Sequence, residues 1–213
     1  MAVVCPTVTA DEPHEYRIQM ERIAPFAHRI HIDLADGVFT PNRLIDVMQV
    51  WWPIGVKADM HLMYESVKPF LAQLKDQRPH MVIVHAESVG NFYDIAKPLH
   101  DLGIKMGVAL LQHTPVSKIK PAIKDIDHVL IFSGDLGHFG GTANLELLEK
   151  VKEVRKLKED IEIGWDGGIN ADNVKDLVKG GVDVLNTGGA IQRAKVPEAA
   201  FNKLSNLAGM AHG

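Results

Sequence analysis

Two histidines and two aspartates lie at the ends of short apolar segments of the sequence. His31 and Asp33 are two positions apart in an extended segment, so their side chains point to the same face of a strand. His61 lies at the end of the next apolar segment, and Asp166 follows the seventh. Imidazole and carboxylate groups together are suitable ligands for Zn, Fe, Mn or Co. If the fold brings the four residues to one point, they predict a divalent-metal site; if not, each histidine is an ordinary core residue.

Glycines form a second pattern, because they follow the last three apolar segments of the chain. Glycine allows backbone N–H groups to approach an anion closely, and loops with several glycines are typical of phosphate sites. The alternative is that each glycine pair only permits a tight turn. The glycines that we predict to contact a phosphate group are Gly137, Gly140, Gly141, Gly167, Gly168, Gly188 and Gly189.

The elements that would hold these residues alternate along the chain. Segments rich in Val, Ile, Leu and Ala are predicted strands at residues 2–7, 29–34, 56–62, 80–85, 105–110, 127–132, 161–165 and 182–186. Between them, apolar residues recur at helical spacing, as in residues 146–154. We also expect a helix near residues 43–51. Strands that alternate with helices are parallel strands, because a parallel connection needs a crossover.

Eight such units predict an α/β fold, a single (β/α)8 TIM barrel over residues 1–213. An open doubly wound sheet is the rival, but it usually has a glycine-rich first turn, and residues 7–11 contain no glycine. In TIM barrels the functional residues lie at the carboxyl ends of the strands. Further polar residues at those ends are Thr7, His85, Glu87, Ser133, Asp135 and Thr187.

The composition limits the partners of the chain. Its 213 residues carry 23 basic and 27 acidic side chains, and the lysines are scattered, which argues against a nucleic-acid partner. No apolar segment approaches the roughly 20 residues of a membrane span, so we expect no membrane partner. The sequence begins without a basic leader, and its one cysteine, Cys5, excludes an internal disulfide. These features predict a cytoplasmic protein. Trp51 and Trp52 are either core residues or an outer contact surface.

Several motifs along nearly the whole chain resemble those of the ribulose-phosphate 3-epimerase family. The most specific is His-Ile-Asp-Leu-Ala-Asp-Gly-Val-Phe-Thr-Pro-Asn at residues 31–42, and a second is Asp-Met-His-Leu-Met at residues 59–63. The other matching motifs lie at residues 5–11, 85–87, 107–109, 114–115, 166–169 and 188–191. The resemblance implies a TIM barrel of the ribulose-phosphate-binding type.

The resemblance also implies an activity and the residues that perform it. The implied metal ligands are His31, Asp33, His61 and Asp166. Asp33 and Asp166 would also act as acid and base on opposite faces of the substrate. Inverting a carbon next to a ketone requires a proton to leave one face and another to reach the opposite face, and a cation can stabilise the enediolate formed in between. Thr7, His61 and the glycines named above would bind the substrate.

The substrate implied by the resemblance is a ketose phosphate, with D-ribulose 5-phosphate and D-xylulose 5-phosphate as the expected pair. The resemblance also implies a homo-oligomer. Three departures from the family pattern leave the substrate open. Ala35 and Phe132 stand where the family usually has methionines beside the metal pocket. In the loop at residues 135–142, His138 is inserted and Thr142 replaces a glutamine. The alternatives are a 3-epimerase of another ketose phosphate, such as a hexulose 6-phosphate, and a barrel that binds a phosphosugar without catalysis.

Overall fold

Eight parallel strands form a closed barrel in the computed structural model, which describes residues 2–134, 136 and 141–211. Each strand pairs with the next one along the chain, and the eighth pairs with the first. The strands are β1 (Val3–Thr9), β2 (Arg29–Ala35), β3 (Lys57–Met63), β4 (Met81–His85), β5 (Lys105–Leu110), β6 (His128–Phe132), β7 (Glu162–Asp166) and β8 (Val184–Thr187). All eight predicted strands are present within two residues of their predicted bounds. The predicted TIM barrel is confirmed, and the open sheet is excluded.

Helical segments of the described residues connect most of the strands. The α-helices are α1 (Pro13–Ile23), α2 (Leu71–Gln77), α3 (Phe92–His100), α4 (Leu148–Leu157), α5 (Val174–Lys179), α6 (Gly189–Gln192) and α7 (Pro197–Met210). The 3-10 segments are Val47–Gln49, Lys68–Phe70, Val116–Asp125 and Leu145–Leu147. Helix α4 buries Val151 and Val154, as the apolar spacing in residues 146–154 predicts. No helix in the described part of the chain is long and apolar enough to cross a membrane.

The helix predicted near residues 43–51 is wrong. Only one 3-10 turn, Val47–Gln49, forms there. Leu44 and Ile45 donate their N–H groups to carbonyl oxygens of β2 and of the residue that follows β1. These bonds fix residues 44 and 45 against β2 and the end of β1, and Asp46 and Val50 on either side of the turn are extended, with ψ angles of 158° and 149°, so no longer helix forms. Apolar spacing alone does not reveal such partners, which is why the sequence pattern suggested a helix.

The two tryptophans after this turn differ in burial. Trp52 packs against the hydrophobic core, whereas 41% of Trp51 is exposed. The backbone carbonyl of Trp51 accepts a hydrogen bond from the Tyr16 hydroxyl at 2.5 Å, which attaches this loop to α1. The pair is therefore neither wholly core nor wholly surface.

Side chains of the strands alternate between two cores, because successive residues point to opposite faces. In β2, Ile30 and Ile32 belong to the large core between strands and helices, whereas His31 and Asp33 lie on the other face, inside the barrel. The interior is packed, as in other TIM barrels. An interior apolar cluster consists of Met81, Ile83, Ala109 and Leu130. Cys5 is fully buried, and burial raises the pKa of its thiol.

An ion-pair network joins the strands that carry the candidate site, near the amino ends of those strands. Arg29 donates to Asp59 at 2.6 Å and to both carboxylate oxygens of Glu162 at 2.7 and 2.8 Å. His128 Nδ1 lies 2.8 Å from Glu162 Oε1. The network thus connects β2, β3, β6 and β7. Asp59 shares an inward face with His61 but is already paired with Arg29, so it is not available to the cluster at the carboxyl ends.

Candidate metal and substrate site

The four predicted metal ligands meet at the carboxyl end of the barrel. The pairing of β2 with β3 places Asp33 beside His61, and closure of the barrel brings Asp166 on β7 to them. Asp33 Oδ1 lies 3.2 Å from His31 Nε2 and 2.9 Å from His61 Nδ1. Asp166 Oδ2 lies 3.6 and 4.0 Å from the same two nitrogens. One possible ligand atom from each residue therefore lies within 4.8 Å of the other three.

The surroundings of His31 indicate what this cluster can hold. Both ring nitrogens are buried, and neither has a hydrogen-bond partner of acceptable geometry among the described residues. Buried polar atoms without partners are rare, because they have given up their hydrogen bonds to water. A divalent cation between the rings and the carboxylates would satisfy Nε2 and offset the two neighbouring negative charges. Two imidazoles and two carboxylates suit Zn, Fe, Mn or Co, so the residues fit a divalent cation.

The two carboxyl groups of the cluster differ in proton affinity. Burial tends to raise the pKa of Asp33, but the His31 and His61 rings outweigh it and hold this pKa well below its usual range. Burial and the neighbouring charge of Asp33 raise the pKa of Asp166 to about 7. Without a cation, Asp33 is therefore ionised near neutral pH, while a large share of Asp166 is protonated. The candidate ligand oxygens of Asp33 and Asp166 lie within 4.8 Å of each other, and two carboxyl groups that are this close do not ionise independently.

Thr9 belongs to the site and was missed by the sequence analysis. Its hydroxyl donates a 2.6 Å hydrogen bond to Asp33 Oδ2. The side chain of Gln19 holds the Thr9 backbone by accepting from its N–H and donating to its carbonyl. The predicted β1 ended at residue 7, two residues too early. Thr9 could have been found from its spacing, since it lies two positions after Thr7 and shares the same inward face.

A cavity of about 270 Å³ opens beside the cluster. Asp33 and Asp166 line it, whereas His31 and His61 are fully buried and do not. The predicted substrate-binding residues that also line it are Thr7, Gly141, Gly167, Gly168, Gly188 and Gly189. The Thr7 hydroxyl is buried without a hydrogen-bond partner in the described part of the chain. The predicted residues Gly137 and Gly140, like Asp135 and His138, lie outside the described residues.

Besides Thr9, three polar residues of the cavity wall were missed by the sequence analysis, namely Asn170, Asn186 and Arg193. Arg193 is the only Lys or Arg among the described lining residues. Its guanidinium lies close to Gly189, because a Cβ placed on that glycine would be 3.9 Å from the Arg193 Cζ. The two residues are four positions apart, which is about one helical turn. A basic residue one helical turn after the last glycine pair was therefore the sequence signal that could have identified Arg193.

The glycine pair after β7 is required by close backbone packing. Gly167 and Gly168 have φ angles of 106° and 72°, in the region that favours glycine. A Cβ on Gly167 would overlap the backbone nitrogen of Gly134, and one on Gly168 would overlap that of Ala143. The turn therefore accounts for both glycines, and their presence does not by itself indicate an anion-binding site.

The two positions that depart from the family pattern differ in their effect on the cavity. Phe132 lines it, and the centre of its ring lies 6.0 Å from that of His61. Ala35 is buried in a separate apolar cluster with Leu44 and Met63. Ala35 is not among the described lining residues of the cavity, although its neighbour Met63 is, whereas Phe132 places a rigid ring in the cavity wall.

Comparisons with known sequences match most of the chain to one family. A family model described as "Ribulose-phosphate 3 epimerase family" matches residues 3–192. The chain is 32% identical over 188 residues to a ribulose-phosphate 3-epimerase of Mycobacterium leprae, covering 84% of each chain. It is 32% identical over 171 residues to that of Bacillus subtilis, covering 76% of this chain and 78% of the other. For the protein of that name from Schizosaccharomyces pombe, the identity is 28% over 218 residues, covering 96% and 93%.

Comparisons with solved structures support the same architecture. The 3-hexulose-6-phosphate synthase from Salmonella typhimurium superimposes with a TM-score of 0.72 at 15% identity, covering 99% of this chain and 100% of that one. A ligand complex of KGPDC from Streptococcus mutans gives a TM-score of 0.76 at 12% identity, covering 100% and 99%. At these identities the likeness concerns the fold alone.

Proposed function

The chain belongs to the ribulose-phosphate 3-epimerase family, and we propose that it inverts C3 of a ketose phosphate. The relatives from M. leprae and B. subtilis are named ribulose-phosphate 3-epimerases, and such enzymes are isomerases. The proposed reaction interconverts D-ribulose 5-phosphate and D-xylulose 5-phosphate. The observation that carries the proposal is the convergence of four possible metal-ligand atoms within 4.8 Å, two of them from carboxylates that line a cavity.

A divalent cation is proposed to be held by His31, Asp33, His61 and Asp166. When bound, the cation supplies positive charge beside the substrate oxygens and stabilises the negative charge that develops on them. Asp33 and Asp166 line the cavity and can contact a substrate as well. The two imidazoles are fully buried, so their proposed contribution is to hold the cation.

Inversion at C3 needs two proton transfers on opposite faces of the substrate. One carboxylate removes the C3 proton, the electron pair of the broken bond forms an enediolate with the carbonyl, and the other carboxyl group delivers a proton to the opposite face of C3. The unequal pKa values of Asp33 and Asp166 support this division, because a base and an acid can then coexist near neutral pH. In the reverse reaction the two residues exchange roles.

The phosphate is proposed to bind at the part of the cavity lined by Gly188, Gly189 and Arg193. Backbone N–H groups at glycines can approach an anion closely. A guanidinium group can add two parallel, charge-assisted hydrogen bonds to phosphate oxygens. The substrate would then extend from these residues to the carboxylates of Asp33 and Asp166, which lie in the same cavity wall.

Phe132 bears on the choice between substrates. The rigid ring of Phe132 in the cavity wall limits the room for a longer carbon chain and so favours a pentulose phosphate over the longer hexulose 6-phosphate. The carboxylates bear on the second alternative, a barrel that only binds a phosphosugar. Two buried like charges are costly to maintain, and binding of a phosphorylated anion alone gives no reason to keep them.

The test supplies Zn, Fe, Mn or Co to metal-depleted protein and measures formation of D-xylulose 5-phosphate from D-ribulose 5-phosphate. Parallel reactions use a hexulose 6-phosphate, and reactions in D₂O follow deuterium at C3 by mass spectrometry. We expect pentulose turnover that requires a cation and that introduces one deuterium. Folded protein that gives no turnover with any cation would contradict the proposal. A preference for the hexulose would support the first alternative, and binding without deuterium exchange would support the second.

Two further expectations stay predictions. They are the homo-oligomeric state, which light scattering on the purified protein can measure, and the cytoplasmic location. The proposed partner is the small-molecule ketose phosphate, with neither nucleic acid nor membrane involved.

A further inference from the structure

The two ring nitrogens of His61 face different surroundings. Nδ1 points into the cluster, 2.9 Å from Asp33 Oδ1 and 4.0 Å from Asp166 Oδ2. Nε2 points away from it and lies 2.9 Å from Nε2 of His85. Both rings are completely buried. Only one hydrogen can lie between two nitrogens at this distance, so one ring donates it and the other accepts it.

The direction of this hydrogen bond decides whether His61 can bind a cation. A neutral imidazole carries its proton on one nitrogen and a lone pair on the other. If His61 donates from Nε2, the lone pair of Nδ1 points into the cluster, as a metal ligand requires. If His85 donates instead, His61 carries its proton on Nδ1, where it bonds Asp33 and blocks coordination.

Glu87 is placed to select between these two arrangements. When His85 accepts at Nε2, it carries its own proton on Nδ1, and this nitrogen lies 3.4 Å from Glu87 Oε2. Both atoms are buried and have no hydrogen-bond partner of acceptable geometry in the described part of the chain, so the interaction between them at this distance is electrostatic. In the opposite arrangement a nitrogen lone pair of His85 would face a carboxylate oxygen, which is unfavourable. Glu87 therefore favours the proton on Nδ1 of His85.

Other contacts hold Glu87 and His85 in position. The Thr114 hydroxyl and the Leu111 N–H donate to Oε1 of Glu87, which leaves Oε2 turned toward His85. The Lys150 ammonium group donates to the carbonyls of Leu111 and Thr114 and so secures this loop. The ring of Phe39 packs on that of His85 with centres 4.6 Å apart. The contacts leave little freedom for either side chain to turn away.

We propose that His85 and Glu87 are positioning residues that hold His61 in the tautomer with its proton on Nε2, so that Nδ1 is free to bind the cation. The proposal rests on the proposed function, because it assumes that His61 is a metal ligand. Carboxylate groups behind ligand histidines act in this way in many metalloproteins. Here the carboxylate acts through a second histidine.

The first experiment replaces Glu87 by Gln and measures Zn²⁺ affinity by competition with a chelator, without any substrate. The amide can still accept from Thr114 while its NH₂ group faces His85, which favours the opposite direction for the histidine pair. We expect Zn²⁺ affinity to fall by about 10- to 100-fold. The matched control is Glu149→Gln, which removes an exposed carboxylate on α4 and should leave the affinity unchanged.

The second experiment uses the unmutated protein and does not depend on the folding of a variant. With ¹⁵N-labelled histidine and bound Zn²⁺, the His61 resonances should show a protonated Nε2 and a Nδ1 without hydrogen. A proton on Nδ1 of His61, or unchanged affinity in folded Glu87→Gln protein, would overturn the proposal.

Failure of the role proposed for His85 and Glu87 and failure of the proposed metal-dependent function would give different results. If the unmutated protein binds Zn²⁺ and epimerises its substrate while Glu87→Gln has full Zn²⁺ affinity, only the role of His85 and Glu87 is wrong. If the unmutated protein does not bind any of the divalent cations, the proposed metal-dependent function fails as well.

Discussion

The carboxyl groups of Asp33 and Asp166 approach the same nitrogen, Nε2 of His31, at 3.2 and 3.6 Å. One comes from β2 and the other from β7, so the barrel brings together two negative groups that lie far apart in sequence. Burial and the neighbouring charge of Asp33 raise the pKa of Asp166, while the imidazoles of His31 and His61 keep Asp33 ionised. The family motifs and the place of both carboxyl groups in the cavity wall are the basis for proposing acid–base chemistry, and this inequality agrees with the proposal.

Asp166→Asn should keep the fold and reduce epimerisation by about 10²- to 10⁴-fold, the usual contribution of a general acid or base. An amide cannot accept the proton, and it is a poorer metal ligand. Turnover is measured with saturating cation, and circular dichroism reports the fold. Asp172→Asn, at an exposed position of the following loop, serves as the control and should keep full activity. A variant that keeps more than about a tenth of the rate would contradict the assigned role.

Thr9→Val should impair the site although Thr9 is not a predicted ligand. The substitution keeps the shape of the side chain but removes the 2.6 Å hydrogen bond to Asp33. Hydrogen bonds to charged groups contribute about 1.5–3 kcal/mol, so we expect kcat/KM to fall by roughly 10- to 100-fold. Thr9→Ser retains the hydroxyl and should restore most of the activity. Equal rates for the Val and Ser variants would mean that the hydroxyl does not act on Asp33.

Arg193→Gln should raise KM for the phosphorylated substrate and leave the metal content unchanged. The guanidinium lies beside Gly189 in the cavity wall, apart from the metal cluster. Loss of a charge-assisted hydrogen bond to phosphate is expected to raise KM by roughly tenfold or more. Lys195→Gln removes an exposed positive charge two residues away and should have little effect. An unchanged KM in Arg193→Gln would place the phosphate elsewhere.

Glu162→Gln should destabilise the barrel by about 1–3 kcal/mol at pH 7, because Arg29 and His128 lose a charged, partly buried partner and one of its two acceptor oxygens. Burial tends to raise the pKa of Glu162, but these two partners outweigh it and lower the pKa strongly. A lowered pKa contributes stability that is present above the unfolded-state value, roughly 4.3, and is lost as the pH falls below it. The difference from wild type should therefore shrink on acidification.

Urea unfolding at pH 7 and at successively lower pH measures the stability of the Glu162→Gln variant. Glu159→Gln, which alters an exposed carboxylate near β7, is the control for a general charge effect. A deficit that is independent of pH would show that packing, not charge, is the contribution of Glu162.

The sequence determined the strands and most members of the metal cluster, because both depend on local spacing. Apolar segments that alternate with amphipathic ones gave all eight strands to within two residues. Side chains two positions apart in a strand share a face, and His31 and Asp33 lie on one inward face as this rule requires. The positions of His61 and Asp166 at the ends of later apolar segments extended the prediction to four residues, and the family motifs in residues 31–42 and 59–63 agreed with it.

Only the tertiary structure decided the relationships that depend on distant partners. Closure of the barrel brings Asp166 beside Asp33, where burial and the charge of Asp33 raise the pKa of Asp166, while the His31 and His61 rings lower that of Asp33. The N–H groups of residues 44 and 45 bond to Ala35 in β2 and to Ala10 after β1, and Asp46 is extended, although the apolar spacing of this segment suits a helix. The contacts of Thr9 with Asp33 and of His61 with His85 likewise join different strands. Local periodicity carries no record of such pairings, because they exist only when the closed barrel brings the strands together.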